Sequence, residues 1–377
     1  MTDAAPGTPS WLRARNDATA LNMLFEHGAL ARNQLAELTG MSKPTAAQMV
    51  SRLEQAGLIE QAGETSGKRG PNAYTYAVRT DRAIAIAVDI READIAAMVV
   101  DVAGVNHEAV EFSLDGADRS PEADIAAAID RACAVAGLSP RSVRLVCIGV
   151  QAAISSDDGV DFTDTLPGWP AQGARRRIAD ALGVEVILEN DVNLAAAAER
   201  ATGAAGDAAG FALLWMGNGV GVAVDIGGMI FRGAAGGAGE IGYLPVTAAG
   251  TALEPGAKDI TDLIGHGAFE RCGGDLGAFA ERVSLALAPV LAVLDPELVV
   301  LGGPNGITGG TELASLVASH LALHTRWHPI VRASSIVGDP VLGGAQRLLV
   351  ARLRDLVLAE IEPSITRSHT AHLGGKQ

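Results

Sequence analysis

The order of apolar and polar residues near the start of the chain predicts three short helices. Within each one, apolar residues recur three or four positions apart, and a glycine follows the segment. The predicted helices cover residues 17–27, 32–38 and 42–56. Leu35 and Leu38 are the inward side chains expected for the second helix. Two helices joined by a short turn that contains glycine are typical of a helix-turn-helix.

The third predicted helix carries the polar side chains that a DNA-reading helix needs. Ser42 is a good N-cap, and the outward face then presents Lys43, Thr45, Gln48 and Arg52. In such a helix the side chains near the N-terminus meet base edges, while flanking cations meet phosphates. We therefore predict that these four outward side chains contact DNA.

A basic, turn-forming segment follows the third helix. It contains Lys68 and Arg69, and beyond it Tyr74 and Tyr76 alternate with polar residues as in a strand. This pattern predicts a β-wing whose two cations reach phosphates or a minor groove. Residues 1–80 are therefore expected to form a winged helix-turn-helix DNA-binding domain. The alternative is a small three-helix domain that contacts proteins and carries Lys and Arg on a solvated surface.

The rest of the chain alternates short apolar runs with helical segments, and it predicts an α/β body. Three strands in quick succession precede a helix over residues 121–136 and a buried strand over 143–150. A similar order begins again at the strand predicted over 211–216. The repetition indicates a duplicated architecture with a cleft between two lobes, which we place at residues 81–190 and 191–377.

Composition and charge limit the function classes. Of the 377 residues, 48% are hydrophobic, which excludes a disordered chain. The formal net charge of −15 argues against sequence-blind nucleic-acid binding by the whole molecule. Residues 1–82 carry nine Lys/Arg and eight Asp/Glu, a net charge of +1, so the remainder carries −16. DNA contact is therefore expected only in the N-terminal segment.

Cysteine usage and apolar run lengths predict a cytoplasmic address with no membrane partner. Cys133, Cys147 and Cys272 are too scattered for a disulfide framework or a paired metal-ligand pattern. The longest apolar run, near residues 285–294, is shorter than the ~20 residues of a membrane span. The first residues lack the basic and apolar regions of a secretory signal.

Three short motifs carry a resemblance to a known family. They are Leu188–Ala195 around an Asn-Asp pair, Gly239–Gly242, and Pro296–Gly303. Together they resemble the ROK family (repressors, open reading frames and kinases), and the match includes the helix-turn-helix that only the repressor branch carries. The chain is similar to repressors of xylose or N-acetylglucosamine genes. The resemblance implies an actin-like, two-lobed ATPase-type fold with a sugar in the cleft.

The resemblance also implies which residues hold the sugar. Asn190 and Asp191 match the pair that hydrogen-bonds sugar hydroxyls, a role that suits an amide beside a carboxylate. Glu240 matches a second carboxylate of the family, and Glu254 matches a third. The alternative for the Asn-Asp pair is an Asx turn that only closes the strand predicted over 184–188.

Departures from the family pattern argue against an enzyme. Kinase members carry Asp-Ile-Gly-Gly-Thr as their first phosphate loop, whereas Asp89-Ile90 is followed here by Arg91 and Glu92. Glycines let backbone N–H groups approach a phosphate, and Glu92 adds a repelling charge instead. We therefore predict that the chain neither binds ATP nor phosphorylates sugars, and that it needs no cofactor.

The zinc site of typical family members is also expected to be lost. The family supplies one His and three cysteines, but Tyr243 stands at the His position and no cysteine lies between Cys147 and Cys272. A tetrahedral thiolate site cannot be built from these residues. Since the family His also contacts the sugar, Tyr243 is included among the predicted sugar-binding residues, with its hydroxyl as a hydrogen-bond donor.

These observations together predict a sugar-responsive repressor. Its expected partners are operator DNA, a sugar or sugar derivative, and further copies of the chain in a homodimer or homotetramer. Two alternatives stay open at this point. One is an ATP-dependent sugar kinase with an appended DNA-binding domain. The other is a ligand-independent DNA-binding regulator whose sugar pocket has decayed.

Overall fold

The N-terminal part of the chain is a small winged head. The structure is a computed structural model that describes residues 8–65, 73–105, 107–113, 119–154, 160–161 and 168–361. Lys68 and Arg69, the predicted wing cations, lie outside the described residues. The elements of the head are α1 (Pro9–His27), β1 (Leu30–Ala31), α2 (Arg32–Thr39), α3 (Lys43–Gln55), β2 (Ile59–Thr65) and β3 (Ala73–Val78). The strands form an antiparallel sheet in the order β1-β3-β2.

Helix caps explain where the helices of the head begin. The Ser42 hydroxyl accepts a hydrogen bond from the Thr45 N–H, as the sequence predicts for the start of α3. The Thr8 hydroxyl caps α1 in the same way, so that α1 begins eight residues before the predicted start. The prediction for Leu38 is wrong, because this side chain is 49% exposed. Helix α2 packs through Leu35 and Ala36, and that face turns Leu38 outward.

The first lobe is built on a five-stranded mixed sheet. Its order is β10-β7-β4-β5-β6, with antiparallel pairing among β4, β5 and β6 and parallel pairing of β7 with both β4 and β10. The elements are β4 (Ile84–Ile90), β5 (Asp94–Asp101), β6 (Val110–Ser113), α4 (Pro121–Ala136), β7 (Val143–Val150), β8 (Ala153–Ile154), β9 (Val160–Asp161), α5 (Ala174–Leu182) and β10 (Glu185–Asn190). The predicted bounds of α4 and β7 are confirmed at both ends.

The second lobe repeats this topology strand for strand, which confirms the predicted duplication. Its sheet has the order β13-β12-β11-β14-β15, again with three antiparallel strands followed by two parallel ones. Its elements are β11 (Gly210–Met216), β12 (Val220–Ile226), β13 (Met229–Ile230), α7 (Ala248–Leu253), α8 (Ile260–Ile264), α9 (Ala268–Arg271), α10 (Leu276–Leu294), β14 (Leu298–Gly302), α11 (Gly303–His324, kinked at Gly310) and β15 (Ile330–Ala333).

Each sheet is followed by a helix that packs between the lobes or on the head. Helix α6 (Asp191–Thr202) follows the first sheet, and α12 (Pro340–Ile361) follows the second. Val192 and Ala195 of α6 pack on the second sheet, while Leu194 packs against α12. A Cβ atom on Gly344 of α12 would lie 1.8 Å from the carbonyl oxygen of Leu194, so only glycine allows the two helices this close. Helix α6 therefore links the lobes.

Helix α12 joins the first lobe to the head. Its buried side chains share one apolar cluster with the first sheet and with the helices of the head. The face of β4 that it covers carries Ala85 and Ala87, and these small side chains let the helix approach the sheet closely. The sequence division at residue 190 separates the two sheets, but it places α12 with the second lobe although this helix packs against the first.

One helix of the second lobe is long and apolar enough to cross a membrane by length and composition alone. It is α10, over Leu276–Leu294, and half of it is buried in the protein. Phe279, Val283 and Leu287 lie in the core between this helix and the second sheet. A helix that packs in a protein core passes the same length and composition test as a membrane span.

Candidate ligand cleft and nucleic-acid interface

A cleft of about 270 Å³ opens between the lobes at the start of α6. Its walls come from α6, from the residues that follow β7, from the turn between β11 and β12, and from the loop that leads to Tyr243. Four of the five predicted sugar-binding residues line it, and these are Asn190, Asp191, Glu240 and Tyr243. The fold thus brings together predicted residues that are about fifty positions apart in the chain.

The Asn190 side chain is held in place by the backbone around it. Its Oδ1 accepts a hydrogen bond from the Asn193 N–H at 3.0 Å and caps α6. Its Nδ2 donates to the Ala152 carbonyl at 3.1 Å. The turn that the sequence offered as an alternative is therefore present, and the same residue lines the cleft. Asn190 therefore closes the strand and lines the cleft at the same time.

Asp191 is a buried carboxyl group at the cleft wall, with 6% of its surface exposed. Its Oδ1 accepts the Val192 N–H at 2.8 Å, whereas its Oδ2 accepts no hydrogen bond from any other described residue. Burial raises the pKa of Asp191 to about 8, and the neighbouring carboxylates of Asp89 and Glu240 add to the rise. One oxygen thus remains available to a ligand.

Glu240 reaches the cleft because the residue before it is a glycine. Gly239 has a φ of +93°, and a Cβ atom there would lie 1.7 Å from the Val222 carbonyl oxygen. The Val222 N–H donates to the Gly239 carbonyl at 2.8 Å, which fixes the loop against β12. The Glu240 carboxylate has no hydrogen-bond donor in the described part of the chain. Burial raises the pKa of Glu240.

Glu254 does not line the cleft, so its predicted sugar contact is not supported. Its carboxylate forms ion pairs with Arg282 and, at 3.3 Å, with Arg271. The sequence patterns did not predict these two partners, which lie in α9 and α10. Asp259 and Thr261 line the cleft instead. Asp259 caps α8, and that cap is the one sequence signal that could have drawn attention to this segment.

Arg91 fills the turn between β4 and β5 with ion pairs. Its guanidinium donates to the carboxylates of Asp89 at 2.7 Å, Asp94 at 3.1 Å, Glu111 at 2.5 Å and Asp339 at 2.6 Å. Asp339 also caps α12, since its Oδ1 accepts the N–H of the second residue of that helix at 2.8 Å. An internal ion-pair network therefore occupies the β4–β5 turn.

Asp89 is the buried member of this network. Burial, followed by the nearby Asp339 carboxylate, raises the pKa of Asp89 to about 7, although Arg91 acts in the opposite direction. Asp89 also lies close enough to Asp191 to raise the pKa of that residue. The charge of the ion-pair network therefore affects the ionisation of Asp191 in the ligand cleft.

The predicted DNA-reading face is only partly available on α3. Lys43 and Gln48 are exposed, and Thr45 is half-buried with its hydroxyl 2.8 Å from the Ser42 hydroxyl. Arg52 is different, because its guanidinium forms a bidentate pair with the buried Asp17 of α1, at 3.0 and 2.5 Å. The sequence placed Arg52 on the outward face, whereas the structure gives it an internal role that holds α1 against α3.

Within the described ranges, no three His, Cys, Asp or Glu side chains converge on a point that could hold a metal ion. Cys133 and Cys147 are buried, and Cys272 is half-buried. The cysteines come from α4, from β7 and from the residue after α9, so they do not fit the thiolate set of a structural zinc site. Tyr243 is exposed at the cleft.

Comparison with known proteins agrees with this architecture. The model of the ROK family matches residues 85–273, just over half of the chain. The chain belongs to the ROK family. A model of the MarR family matches residues 14–70, a range that includes most of α1 and all of α2 and α3. The two matches separate the chain into the same head and body that the structure shows.

Individual relatives of this ROK protein include both regulators and kinases. A xylose repressor from Bacillus spizizenii is 23% identical over 244 residues, which cover 63% of this chain and 62% of the relative. A crystal structure of a ROK family transcriptional regulator, a homologue of the E. coli MLC protein, has a TM-score of 0.62 at 15% identity and covers 93% of this chain and 99% of that one. A ROK hexokinase from Thermus thermophilus has a TM-score of 0.55 at 23% identity, with 72% and 99% covered.

These figures have two consequences. The chain spans about three-fifths of the length of the xylose repressor that it matches. The regulator structure covers the head as well as the body, whereas the hexokinase covers a share of the chain that corresponds to the body alone. The two-lobed sugar-kinase fold, preceded by a helix-turn-helix, is therefore the fold of this protein.

Proposed function

We propose that this ROK protein is a sugar-responsive transcriptional repressor with a non-catalytic sensor body. The observation that carries the proposal is a combination in one chain. The chain has a head with an exposed helix face and a cleft with an available carboxyl oxygen at Asp191, while Arg91 and its carboxylates fill the β4–β5 turn. The xylose repressor among its relatives supports the same function.

Operator DNA is the proposed partner of the head. Lys43 and Gln48 lie near the N-terminal end of α3, where a recognition helix meets base edges and phosphates. The body carries the negative charge of the chain and keeps the contact confined to the head. We expect a homodimer or homotetramer in the cytoplasm that binds two half-sites about one helical turn, or a multiple of it, apart.

Helix α12 gives the cleft a physical route to the head. At its start, Asp339 is bound to Arg91 of the β4–β5 turn. At its other end, Arg354 donates to the Phe25 carbonyl of α1 at 3.4 Å, and Glu360 pairs with Arg82 at 2.7 Å. A sugar that closes the lobes changes the setting of α12 and with it the position of the head. A ligand shifts such an equilibrium only by its difference in affinity between the two states.

The test is operator binding with and without sugar. Operator sequences are selected from random duplexes with the full chain, and binding is then followed by fluorescence anisotropy across a sugar panel. We expect a palindromic operator and release of DNA by at least one sugar. Gln48→Ala should relax base preference at one position, while Lys43→Ala should weaken binding to all sequences and reduce the salt slope by about one. An operator that no variant of α3 affects would remove this helix from the DNA contact.

Two outcomes would replace the proposal. The hexokinase-like fold favours the first, a sugar kinase with an appended head, and sugar-dependent ADP release by the purified chain would establish it. The second is a regulator that ignores sugars. Operator binding that no sugar changes, together with no rise in melting temperature across the panel, would establish that one, because a ligand that binds only the folded state must raise the melting temperature.

A further inference from the structure

Several hydrogen-bond donors in the walls of the cleft are already used inside the protein, although among the described residues Gln151, Asn218 and Trp215 keep theirs. The Asn190 amide donates to the Ala152 carbonyl at 3.1 Å. The Asn193 amide donates to the Glu189 carboxylate at 3.0 Å, and the Thr261 hydroxyl donates to the Gly242 carbonyl at 3.2 Å. Three polar side chains that line the cleft have thus already spent donor capacity inside the protein.

The acceptors of the same walls are free. Asp191 Oδ2 and both carboxylate oxygens of Glu240 have no donor among the described residues. The two groups interact, since Glu240 contributes to the raised pKa of Asp191. A third carboxylate, Asp259, lines the cleft and uses one oxygen to cap α8. A ligand in the cleft therefore meets hydrogen-bond acceptors that have no donor from the protein.

The described cleft lining also contains no Lys, Arg or His. Two arginines attached to neighbouring turns are already neutralised. Arg91 is bound to four carboxylates, and Arg232 donates from Nε and Nη2 to the same oxygen, Glu189 Oε2, at 2.9 and 2.5 Å. An anionic ligand group would enter a site with the Glu240 and Asp259 carboxylates, the carboxyl group of Asp191 and no Lys, Arg or His among the described lining residues. Like charges that face each other across an interface weaken binding strongly.

We propose that the cleft selects sugars that carry a primary ammonium group, accepts neutral sugars more weakly, and excludes sugar phosphates and sugar acids. The inference rests on the proposed sensor function and names the class of its effector. An ammonium has three donors and no acceptor, which matches the free oxygens of Glu240 and of Asp191. A neighbouring cation favours the ionised form of a carboxyl group, so Asp191 gives up its proton when the ammonium binds. Hydrogen bonds between charged groups are about twice as strong as neutral ones. We expect about 10-fold tighter binding of an amino sugar than of its parent sugar, and at least ~100-fold weaker binding of the anionic derivatives.

The experiment compares sugars that differ only in one group. Glucose, mannose and galactose are each measured beside the 2-amino, the 2-acetamido and the uronic acid derivative, with the 6-phosphates of glucose and mannose added. Calorimetry on the full chain at pH 7 with EDTA gives each dissociation constant. The acetamido sugars keep the nitrogen but remove its charge, so they separate a need for charge from a need for a substituent.

A pair of matched variants tests the residues. Glu240→Gln removes one charge from the cleft, and Glu312→Gln makes the same change on the exposed surface of α11. Glu240→Gln should reduce the advantage of the ammonium sugar over its parent to about 3-fold or less, while Glu312→Gln should leave it unchanged. Thermal unfolding of both variants shows whether the fold is retained.

The outcomes separate this inference from the function on which it rests. An ammonium sugar that binds best, and whose advantage depends on Glu240, supports the inference. Tighter binding of a neutral, acetamido, phosphorylated or acidic sugar overturns it and leaves the sensor function standing. An advantage that survives Glu240→Gln in a folded variant overturns the assignment to this carboxylate. Binding of no sugar, by a chain that still binds its operator, overturns both.

Discussion

The two halves of the body present equivalent corners to each other, and the corners differ in one respect. In each half, the turn between the first two strands faces the helix that follows the last strand of the other half. The β4–β5 turn meets the start of α12 through the pair of Arg91 and Asp339. The β11–β12 turn meets the start of α6, and Gly219 and Asp191 line the same cleft there.

The difference shows how one topology supports two uses. At the first corner a long cation reaches four carboxylates, so the polar groups satisfy each other and the corner is closed. At the second corner glycines leave space, and the carboxylates keep free oxygens. A buried polar group without a partner is costly, and it persists where a ligand supplies the partner. The closed corner joins the two halves of the body through ion pairs, and the open corner is the proposed binding site.

The largest effect is expected from Asp191→Ala at the open corner. Loss of a carboxyl group that hydrogen-bonds a ligand should weaken sugar binding by about 100-fold or more, because the buried partners left unsatisfied cost ~1–3 kcal/mol each. Operator affinity without sugar should stay near normal. Anisotropy titrations with sugar give both quantities. A variant that releases DNA at the sugar concentration of the unmodified protein would place the sensor elsewhere.

At the closed corner, Arg91→Ala should destabilise the fold by about 2–4 kcal/mol. Removing one partner of a partly buried pair leaves the other charges uncompensated, and here Asp89, Asp94 and Asp339 would repel one another. Urea unfolding measures the change. Arg141→Ala is the control, since Arg141 is exposed and should cost less than ~0.5 kcal/mol. Equal midpoints for the two variants would mean that the corner is not a joint.

The pH dependence of stability should report the buried carboxyl of the open corner. The pKa of Asp191 is about 8 in the folded protein and near 3.8 when the group is exposed, so the folded state holds the proton more tightly. The contribution of Asp191 to the free energy of unfolding is complete below pH 3.8 and is lost as the pH rises through about 8. Thermal unfolding should therefore show a loss of stability between pH 5 and pH 9.

An isosteric variant assigns this pH effect to one group. Asp191→Asn keeps the shape and removes the titration, so it should reduce the loss of stability between pH 5 and pH 9 by about 1–3 kcal/mol. Asp89 titrates in the same network and should retain its own share of the slope, because its pKa is also raised. If the variant and the unmodified protein lose stability in parallel, Asp191 does not hold a proton in the folded state.

The smallest effect is expected from Tyr243→Phe at the mouth of the open corner. The side chain is 56% exposed, so loss of its hydroxyl should change sugar affinity by less than about 10-fold and leave the melting temperature within ~1 °C. Calorimetry with the best ligand measures the affinity. A larger loss would show that the Tyr243 hydroxyl binds the sugar directly, in the way that the family His is expected to.

Local sequence signals predicted the local structure of the chain well. The bounds of α4 and β7 follow from a Ser-Pro start, a terminal glycine and a continuous apolar run, and each of these acts within a few residues. The cap at Ser42 is of the same kind. The paired strand orders of the two lobes also follow from a repeated pattern. Structure that depends on neighbouring residues can therefore be predicted from a short stretch of sequence.

Partners from distant parts of the chain could not be predicted. Arg52 has the spacing of an outward residue, but Asp17 of another helix captures it. Glu254 has the position of a sugar ligand, but Arg282 of α10 lies within reach. Arg91 was singled out from the sequence as a departure from the family pattern, but the local sequence did not reveal its bond to Asp339, nearly 250 positions away.

The position of α12 has a consequence for how the protein is made. A ribosome produces the head and the first sheet long before residues 340–361 emerge, and until then the apolar face of β4 and the inner side of α1 lack their cover. The early part of the chain must therefore remain exposed, and in need of protection from aggregation, until a helix about 250 positions later has been translated. The head and the first lobe are expected to complete folding together once α12 has emerged, rather than domain by domain.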